Sequence, residues 1–343
     1  YTRMFNDSVP LTLNEESFYP STGWQERFTA GVQLKLGRLL VDFQPEYVKA
    51  ENLKQAAISE VNADPNYFTR LYFMQLNVID WPSQFGIKPI EKFYLGQSSV
   101  KLLFNNMYVG LSNENIWWGP GQTASLIFSN NAPGFAHYTF NTIRPIKTFL
   151  GSFEFQLVTG RLEQDPTAPF EIQNLKTLSD WKEPRIFNGL NIVFQPSIFP
   201  NLFVGVNRAY QYSERNIEQQ GNNFFTKYLP VFSKIFKSSI GGVEEDKIER
   251  DQQISIYTRW LFPKSHAEFY LEYGWNDHKD NFRDFWIDPE HAASYIIGFK
   301  KLKPLNNNRW LELNTEIIQT AQTTDYLVRT AGDWYIYANG GYN

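Results

Sequence analysis

Hydrophobic and polar residues alternate along most of the chain, and this alternation predicts pairs of antiparallel strands. Apolar residues occupy every second position in 32–36 and again in 39–43, on either side of Gly37-Arg38, which predicts a hairpin. The same pattern recurs around three further turns: Asn105-Asn106, Pro263–Ser265 and Pro304–Asn308. A period of two residues places apolar side chains on one face of a sheet and polar side chains on the other.

The polar face of these strands carries carboxylates that favour a membrane barrel over a soluble sandwich. Glu268, Glu272, Glu312 and Glu316 alternate with apolar residues, and Trp260 lies near a predicted strand end. Transmembrane barrels combine lipid-facing apolar residues with a wet lumen and aromatic residues at both strand ends. No apolar run reaches the ~18 residues of a transmembrane helix. We therefore predict an all-β fold: a large antiparallel transmembrane β-barrel, one domain over residues 1–343, with a few short helices in loops or at the rim.

Composition supports this prediction and excludes several functions. Aromatic residues make up 17% of the 343 residues, with 10 Trp, 19 Tyr and 29 Phe, which suits a barrel that anchors at two lipid–water boundaries. An aromatic-rich soluble β-protein would share this composition. The charge is balanced, with 32 Lys+Arg against 36 Asp+Glu, so no positive field favours nucleic acid. The absence of cysteine excludes disulfides and thiolate chemistry.

One segment departs from the strand pattern. Aromatic and aliphatic residues recur at helical spacing from Phe224 to Phe236, with lysines between them, and Pro230 would sit in the first turns or kink the helix. An amphipathic helix here could plug the lumen or lie on the membrane interface. A loop helix packed on the barrel rim is the interpretation that we favour.

A candidate glycan platform surrounds Trp117-Trp118. Sugar pockets place a few polar groups among aromatic faces, and Gly119-Pro120-Gly121 gives this stretch a tight backbone. The candidate glycan-binding residues are Glu114, Asn115, Trp117, Trp118, Gln122, Asn130, Asn131, His137, Asn141, Arg144 and Arg161. Alternatively, the two tryptophans anchor the membrane interface or staple a buried loop, the asparagines satisfy turn backbone, and the arginines pair with inward carboxylates such as Glu154.

Catalytic and metal-binding patterns are missing. The four histidines are scattered, and neither a Ser-His-Asp order nor a G-x-S-x-G elbow occurs. Asp288, Glu290 and His291 are close in sequence, but Pro289 is better explained as a helix start capped by Asp288. We therefore predict no catalytic residue, no metal and no cofactor, and a protein that is not an enzyme.

Residues 113–141 (NENIWWGPGQTASLIFSNNAPGFAHYTFN) resemble the capsule assembly Wzi family of outer-membrane proteins, in its Bacteroidetes-type form. Residues 31–52 are similar to the early hairpin of that family. Further similar motifs follow in the expected order: Gly96–Ser99, Arg144–Thr148, Gly151–Glu154, Gly160–Leu162, Arg250–Gln253, Arg259–Pro263, Glu272–His278 and Pro289–His291. The resemblance therefore covers nearly the whole chain.

This resemblance implies a barrel of about 18 strands in the cell outer membrane, with a lectin-like role. Its partners would be capsular or exopolysaccharide and outer-membrane lipid. Because the chain starts at Tyr1 and stops at Asn343 without a closing strand, we expect it to be incomplete at both ends. Two alternatives stay open: an accessory barrel, bound to other outer-membrane proteins in a secretion, motility or uptake complex, and a passive diffusion channel lined by the inward glutamates.

Overall fold

The computed structural model describes residues 1–7, 12–53, 88–163, 184–220, 224–232, 250–276, 286, 293–305 and 309–320. These residues form 17 strands, all paired antiparallel: β1 (Thr2–Asn6), β2 (Gly23–Thr29), β3 (Val32–Leu36), β4 (Leu39–Phe43), β5 (Glu46–Ala50), β6 (Ile90–Tyr94), β7 (Ser99–Phe104), β8 (Met107–Ser112), β9 (His137–Thr142), β10 (Ile146–Lys147), β11 (Gly151–Leu162), β12 (Arg185–Pro196), β13 (Leu202–Ser213), β14 (Arg250–Phe262), β15 (Ala267–Asn276), β16 (Ala293–Pro304) and β17 (Trp310–Gln319). The all-β antiparallel prediction is confirmed. Among the described residues, no helix has the length and apolar character needed to cross a membrane.

Thirteen strands form one large sheet, in the order β17-β16-β15-β14-β13-β12-β11-β9-β8-β7-β4-β3, with the short β10 paired to β11. The predicted hairpins around 37–38, 105–106, 263–265 and 304–308 all occur in it. Within the described residues β3 and β17 are the two edges, and no pairing joins them. Closure into a barrel of about 18 strands therefore stays a prediction.

The two faces of the large sheet differ in polarity as the alternation predicts. Ile192, Val206 and Ile256 oppose one another across three strands, and each is exposed. Asn207 and Ser255 form a row on the opposite face and are fully buried. Directly opposed residues of antiparallel strands share a face, so the sheet has an apolar outer face and a polar inner face. This arrangement is the one expected of a barrel in lipid.

The two ends of the sheet also differ. At one end the strands are joined by short connections: residues 37–38, 105–106, 197–201, 263–266 and 305–309. At the other end the connections are long: residues 113–136, 163–184, 214–249 and 277–292. We name these the short-turn end and the long-loop end. In outer-membrane barrels the short turns are periplasmic and the long loops extracellular, so we expect the long-loop end to face the cell exterior.

A four-stranded sheet, in the order β1-β2-β5-β6, continues the large sheet beyond its long-loop end. Strands β2, β5 and β6 run on in sequence into β3, β4 and β7, and a bridge between Gln44 and Gly96 marks the junction. Phe18 and Tyr19 cover the inner face of the small sheet and pack on a core of Val48, Ala50 and Ile90.

The segment from Phe224 starts as the predicted helix but does not continue as one. Helix α1 (Phe224–Tyr228) is followed by a 3-10 turn at Pro230–Phe232, and the predicted remainder from 233 to 236 lies outside the described residues. The turn packs on the outer face, where Asn188 Oδ1 accepts from the Val231 N–H (3.2 Å) and Arg208 Nη1 donates to the Val231 carbonyl (2.9 Å). These residues pack on the outside of the sheet, as the rim interpretation predicts, and the plug interpretation is wrong for them. The interpretation that they lie on the membrane interface stays a prediction.

Candidate functional site

Residues 113–136 connect β8 to β9 and fold back across the inner face of the large sheet; we name this segment the inner loop. Trp118 packs it against β11 and β12. The indole Nε1 donates to Gln156 Oε1 (2.8 Å), and the ring contacts Phe128 edge-on (centroids 5.4 Å) and Phe187 (6.5 Å). With 2% exposure, Trp118 presents no free face to a sugar. This is the buried staple that the sequence left open as an alternative.

Glu316 of β17 fastens the middle of the inner loop. Its carboxylate accepts the backbone N–H groups of Gln122 (2.7 Å), Thr123 and Ala124 (both 3.1 Å), together with the hydroxyl of Tyr270 (2.6 Å). Hydrogen bonds to an ionised acceptor are roughly twice as strong as neutral ones. One side chain thus ties the loop to a strand about 190 residues further along the chain.

Glu272 of β15 lies under the Gly119-Pro120-Gly121 turn. It is fully buried and accepts from Ser255 Oγ (2.6 Å) and Asn207 Nδ2 (3.3 Å). Gly119 has φ of +105°, and a Cβ at this position would lie 2.3 Å from Glu272 Oε2. The turn therefore needs glycine both for its backbone conformation and for its close approach to the carboxylate.

Glu114 and Asn115 fix the start of the inner loop. Glu114 accepts from Lys101 Nζ (2.7 Å), from Ser99 Oγ (3.1 Å) and from Ser112 Oγ (3.0 Å). Asn115 accepts from Gln97 Nε2 (2.7 Å) and donates to the Ala132 carbonyl (2.8 Å). Both predicted glycan ligands already have protein partners.

The asparagines near the end of the inner loop contact the segment that precedes β2. Asn131 Oδ1 accepts from the Asn14 N–H (2.8 Å), and the Asn130 carbonyl accepts from the Glu16 N–H (2.7 Å). The Asn131 side chain remains exposed nonetheless. Asn131 therefore stays accessible to a ligand. Asn130 contributes its main-chain carbonyl to this contact, and a role of its side chain in satisfying turn backbone stays a prediction.

His137 and Asn141 point from β9 to the inner face and are 2% and 6% exposed. His137 Nδ1 lies 2.7 Å from the Phe135 carbonyl. Asn141 donates to the Tyr108 hydroxyl and accepts from Thr139 Oγ1 (2.8 Å). These two residues form part of the wall under the inner loop rather than its accessible surface.

Neither predicted arginine lies at the platform. Arg144 is exposed in the turn after β9, at the short-turn end, where the neighbouring Ile143 N–H donates to the Asn106 carbonyl (2.6 Å). Arg161 lies on the outer face and pairs with Glu163 and with Glu214 (3.0 Å). The expected pairing with Glu154 is wrong for Arg161, because residues 154 and 161 of β11 differ in parity and point to opposite faces.

Two platform residues keep accessible groups near the loop turn. Trp117 is half-buried, with Nε1 donating to the Gly121 carbonyl (3.0 Å), and Gln122 is exposed, with Nε2 donating to the Pro120 carbonyl (3.1 Å). Together with Asn131 they are our first candidates for sugar contact in the inner loop, because the Trp117 ring and the exposed amides keep accessible surface besides these bonds. The structure thus reduces the predicted set to a few accessible residues, and their role in glycan binding stays a prediction.

The inward-facing glutamates form the contacts that organise the inner face, and the platform prediction did not include them. Glu268 forms a two-point pair with Arg259 (2.6 and 3.0 Å), and Glu312 pairs with Lys300 (2.8 Å). Glu272 and Glu316 hold the inner loop as described above. Alternation showed that these residues point inward, but it carried no information about their partners. Among the described residues, no three His, Cys, Asp or Glu side chains are grouped as a metal site would require.

Comparison with known proteins agrees with this architecture. The family model for the capsule assembly protein Wzi matches residues 10–343. The solved structure of Wzi from Escherichia coli, described as an outer-membrane, carbohydrate-binding β-barrel involved in group 1 capsule assembly, superposes with a TM-score of 0.57 at 14% identity. That match covers 100% of this chain and 60% of the Wzi chain, so the present chain spans about three fifths of its length.

Weaker matches were found to two other outer-membrane proteins. OmpT of Vibrio cholerae gives a TM-score of 0.31 at 11% identity over 85% of this chain and 82% of its own. The channel DcaP of Acinetobacter baumannii gives 0.32 at 11% identity over 85% and 77%. No curated protein sequence matches the chain.

Proposed function

The chain belongs to the capsule assembly Wzi family of outer-membrane β-barrels, and from this premise we propose that it binds or anchors capsular or exopolysaccharide at the cell surface without catalysis. The family match extends over residues 10–343, and the superposed Wzi barrel of Escherichia coli is a carbohydrate-binding protein. The outer-membrane location predicted from the sequence is confirmed by the same matches.

The observation that carries the proposal is the inner loop across the polar face. An open diffusion channel needs a continuous wet lumen, whereas here Trp118, Gly119 and residues 122–124 lie against β11, β12, β15 and β17. The carboxylates that would have attracted cations are held by the loop or by Arg259 and Lys300. This arrangement supports a barrel that retains a ligand over one that passes solutes.

The decisive experiment is calorimetric titration of the detergent-purified protein with polysaccharide from its own host, with an unrelated capsule as the control. We expect saturable binding to the host polysaccharide alone. Heat from both polysaccharides would indicate unspecific adsorption, and no heat from either would overturn the proposal. In that case stoichiometric partners that co-purify with the barrel would identify it as an accessory subunit of a larger complex.

Substitutions then test the inner-loop surface as the binding site. We expect Trp117→Ala and Gln122→Ala each to weaken binding about tenfold, because one lost stacking or hydrogen-bonding contact costs about 1–1.5 kcal/mol. The matched control is Trp260→Ala, which removes an exposed indole from β14 at the short-turn end. Full affinity in both loop variants would place the site elsewhere.

Electrical recording tests the diffusion-channel alternative directly. In planar bilayers we expect the protein to be silent, because the inner loop occupies the polar face. Stable ion-conducting steps from the unmodified protein would favour a channel over a glycan-retaining barrel.

A further inference from the structure

The outer face of the four-stranded sheet carries one row of exposed aromatic side chains. Phe28, Tyr47 and Phe93 are directly opposed across β2, β5 and β6, and Tyr1 extends the row through its contact with Phe28 (centroids 4.7 Å). Their exposures range from 37% to 67%. Directly opposed side chains on neighbouring strands are close neighbours on one face, so these rings form one continuous aromatic row across the sheet.

A row of paired charges follows immediately on the same face. Arg3, Glu26, Lys49 and Glu91 are opposed across all four strands and alternate in sign. Arg3 lies 3.5 Å from Glu26, and Lys49 lies 3.0 Å from Glu91. A charged side chain has a much higher free energy in hydrocarbon than in water or among lipid headgroups. This row therefore indicates a level outside the apolar part of a membrane.

Strand length places the aromatic band at the edge of the hydrocarbon layer. Phe28 lies eight positions before Leu36, the last residue of β3, and Tyr47 lies eight positions after Leu39, the first residue of β4. A tilted strand crosses the apolar layer in about 9–11 residues. If the apolar layer begins at the short-turn end, these strands leave it at the aromatic row. The row of charged residues comes next along the strands and therefore lies outside the apolar layer.

Residues 224–232 pack on the outer face of β11, β12 and β13. Counting strand positions from the short-turn end places this segment at the same depth as the aromatic row. Thr159 and Asn188, which contact this segment, lie eight positions from the short-turn ends of β11 and β12. The segment covers the Asn188 and Arg208 side chains and exposes three phenylalanines of its own. These are Phe224 (62%), Phe225 (63%) and Phe232 (60%).

We propose that these two features together form the outer aromatic boundary of the membrane: the lipid headgroup–acyl interface lies at the row Tyr1–Phe28–Tyr47–Phe93 and at the phenylalanines of residues 224–232. Aromatic rings concentrate at this level in membrane proteins. The four-stranded sheet beyond the row stands in the headgroup layer and the water outside. Residues 230–232 shield Arg208 from acyl chains, which offsets the cost of an arginine on the lipid side.

Lipid fits this surface better than polysaccharide does. The aromatic row continues the apolar outer face directly, since Val32, Leu34, Val100 and Leu102 are all exposed below it. The neighbouring carboxylates already have cationic partners, so they offer little to sugar hydroxyls.

The absence of cysteine in the sequence allows a direct measurement of depth. Single cysteines at Phe93, Glu91 and Val32 carry a nitroxide label in proteoliposomes, and electron paramagnetic resonance compares access of oxygen with access of a water-soluble nickel chelate. Val32 is exposed on the outer face and lies midway between Leu36 and Phe28. We expect a high oxygen-to-nickel ratio at Val32→Cys, an intermediate ratio at Phe93→Cys and a several-fold lower ratio at Glu91→Cys. Equal ratios at 93 and 91, or at 91 and 32, would overturn the proposal.

Neighbouring positions guard against a variant that fails to fold. Phe28→Cys and Glu26→Cys repeat the comparison on β2, and Phe225→Cys should report the same depth as Phe28→Cys. Folded barrels are selected by their heat-modifiable mobility on gels. If added host polysaccharide shields the label at Phe93→Cys from nickel while lipid leaves it exposed, the face binds glycan and the lipid boundary lies elsewhere.

Discussion

Removal of the Glu316 carboxylate is the sharpest test of how the inner loop is held. Glu316→Ala deletes the acceptor for three consecutive backbone N–H groups, of residues 122–124, and for the Tyr270 hydroxyl. The other attachments of the loop, at Trp118 and Glu114, remain. We therefore expect the middle of the loop to open while both of its ends stay in place.

The size of the effect follows from the accessibility of the freed groups. A hydrogen bond to a charged acceptor contributes about 1.5–3 kcal/mol when its partner would otherwise be left unsatisfied. Gln122 and Thr123 are exposed, so water replaces the lost acceptor there at little cost, whereas Ala124 is half-buried and the Tyr270 side chain is fully buried. We expect about 2 kcal/mol in total, which is about a 30-fold shift toward the open loop.

Hydrogen–deuterium exchange of the amides of residues 122–124 measures this shift locally. We expect exchange about 30-fold faster in Glu316→Ala, with unchanged exchange in β12–β14 as the sign of an intact sheet. Glu312→Ala is the matched control, because it removes another inward-facing carboxylate of β17, which is exposed and pairs with Lys300 rather than with the inner loop. If Glu316→Ala and Glu312→Ala exchange alike at 122–124, the carboxylate does not hold the loop.

Three further substitutions test the packing around the loop and rim. Gly298→Ala places a Cβ 1.9 Å from the Tyr270 ring, so we expect a loss of about 1–3 kcal/mol in urea unfolding, and a smaller loss when Tyr270→Ala is already present. Trp118→Ala should cost about 3–5 kcal/mol in the same assay because it empties a buried site; a cost below 1 kcal/mol would contradict the staple. Arg208→Leu removes the donor to the Val231 carbonyl, and we expect faster proteolysis within residues 224–232; cleavage at the unmodified rate would show that the turn is held by other contacts.

Much of the strand framework is readable from local sequence. Alternation and turn residues predict both the hairpin at Val32–Phe43 and the pair β14–β15. The period of two determines which face of the sheet each side chain occupies, and a tight turn makes consecutive strands pair with each other. The helix at Phe224 was readable only in part. Helical spacing predicted it through Phe236, but the chain leaves the helix after Tyr228, just before Pro230.

The candidate site was less readable. Residue types alone suggested that Trp117 and Trp118 would share a platform, yet Trp118 is buried against Phe187 while Trp117 stays half-accessible. Arg161 was grouped with them although strand parity turns it to the outer face, where it meets Glu214. A list of sugar-compatible residues cannot distinguish a side chain that satisfies its own loop from one that is left for a ligand.

The sequence by itself determined the class of the fold, the polarity of its two faces and its family, because each depends on periodicity or on motifs within a few dozen residues. Only the tertiary structure decided that the inner loop crosses the polar face, that Glu316 meets residues 122–124, and that the rows on the four-stranded sheet align. These outcomes depend on register between strands far apart in the chain. Local patterns leave that register open, and it is set by the packing of the whole sheet.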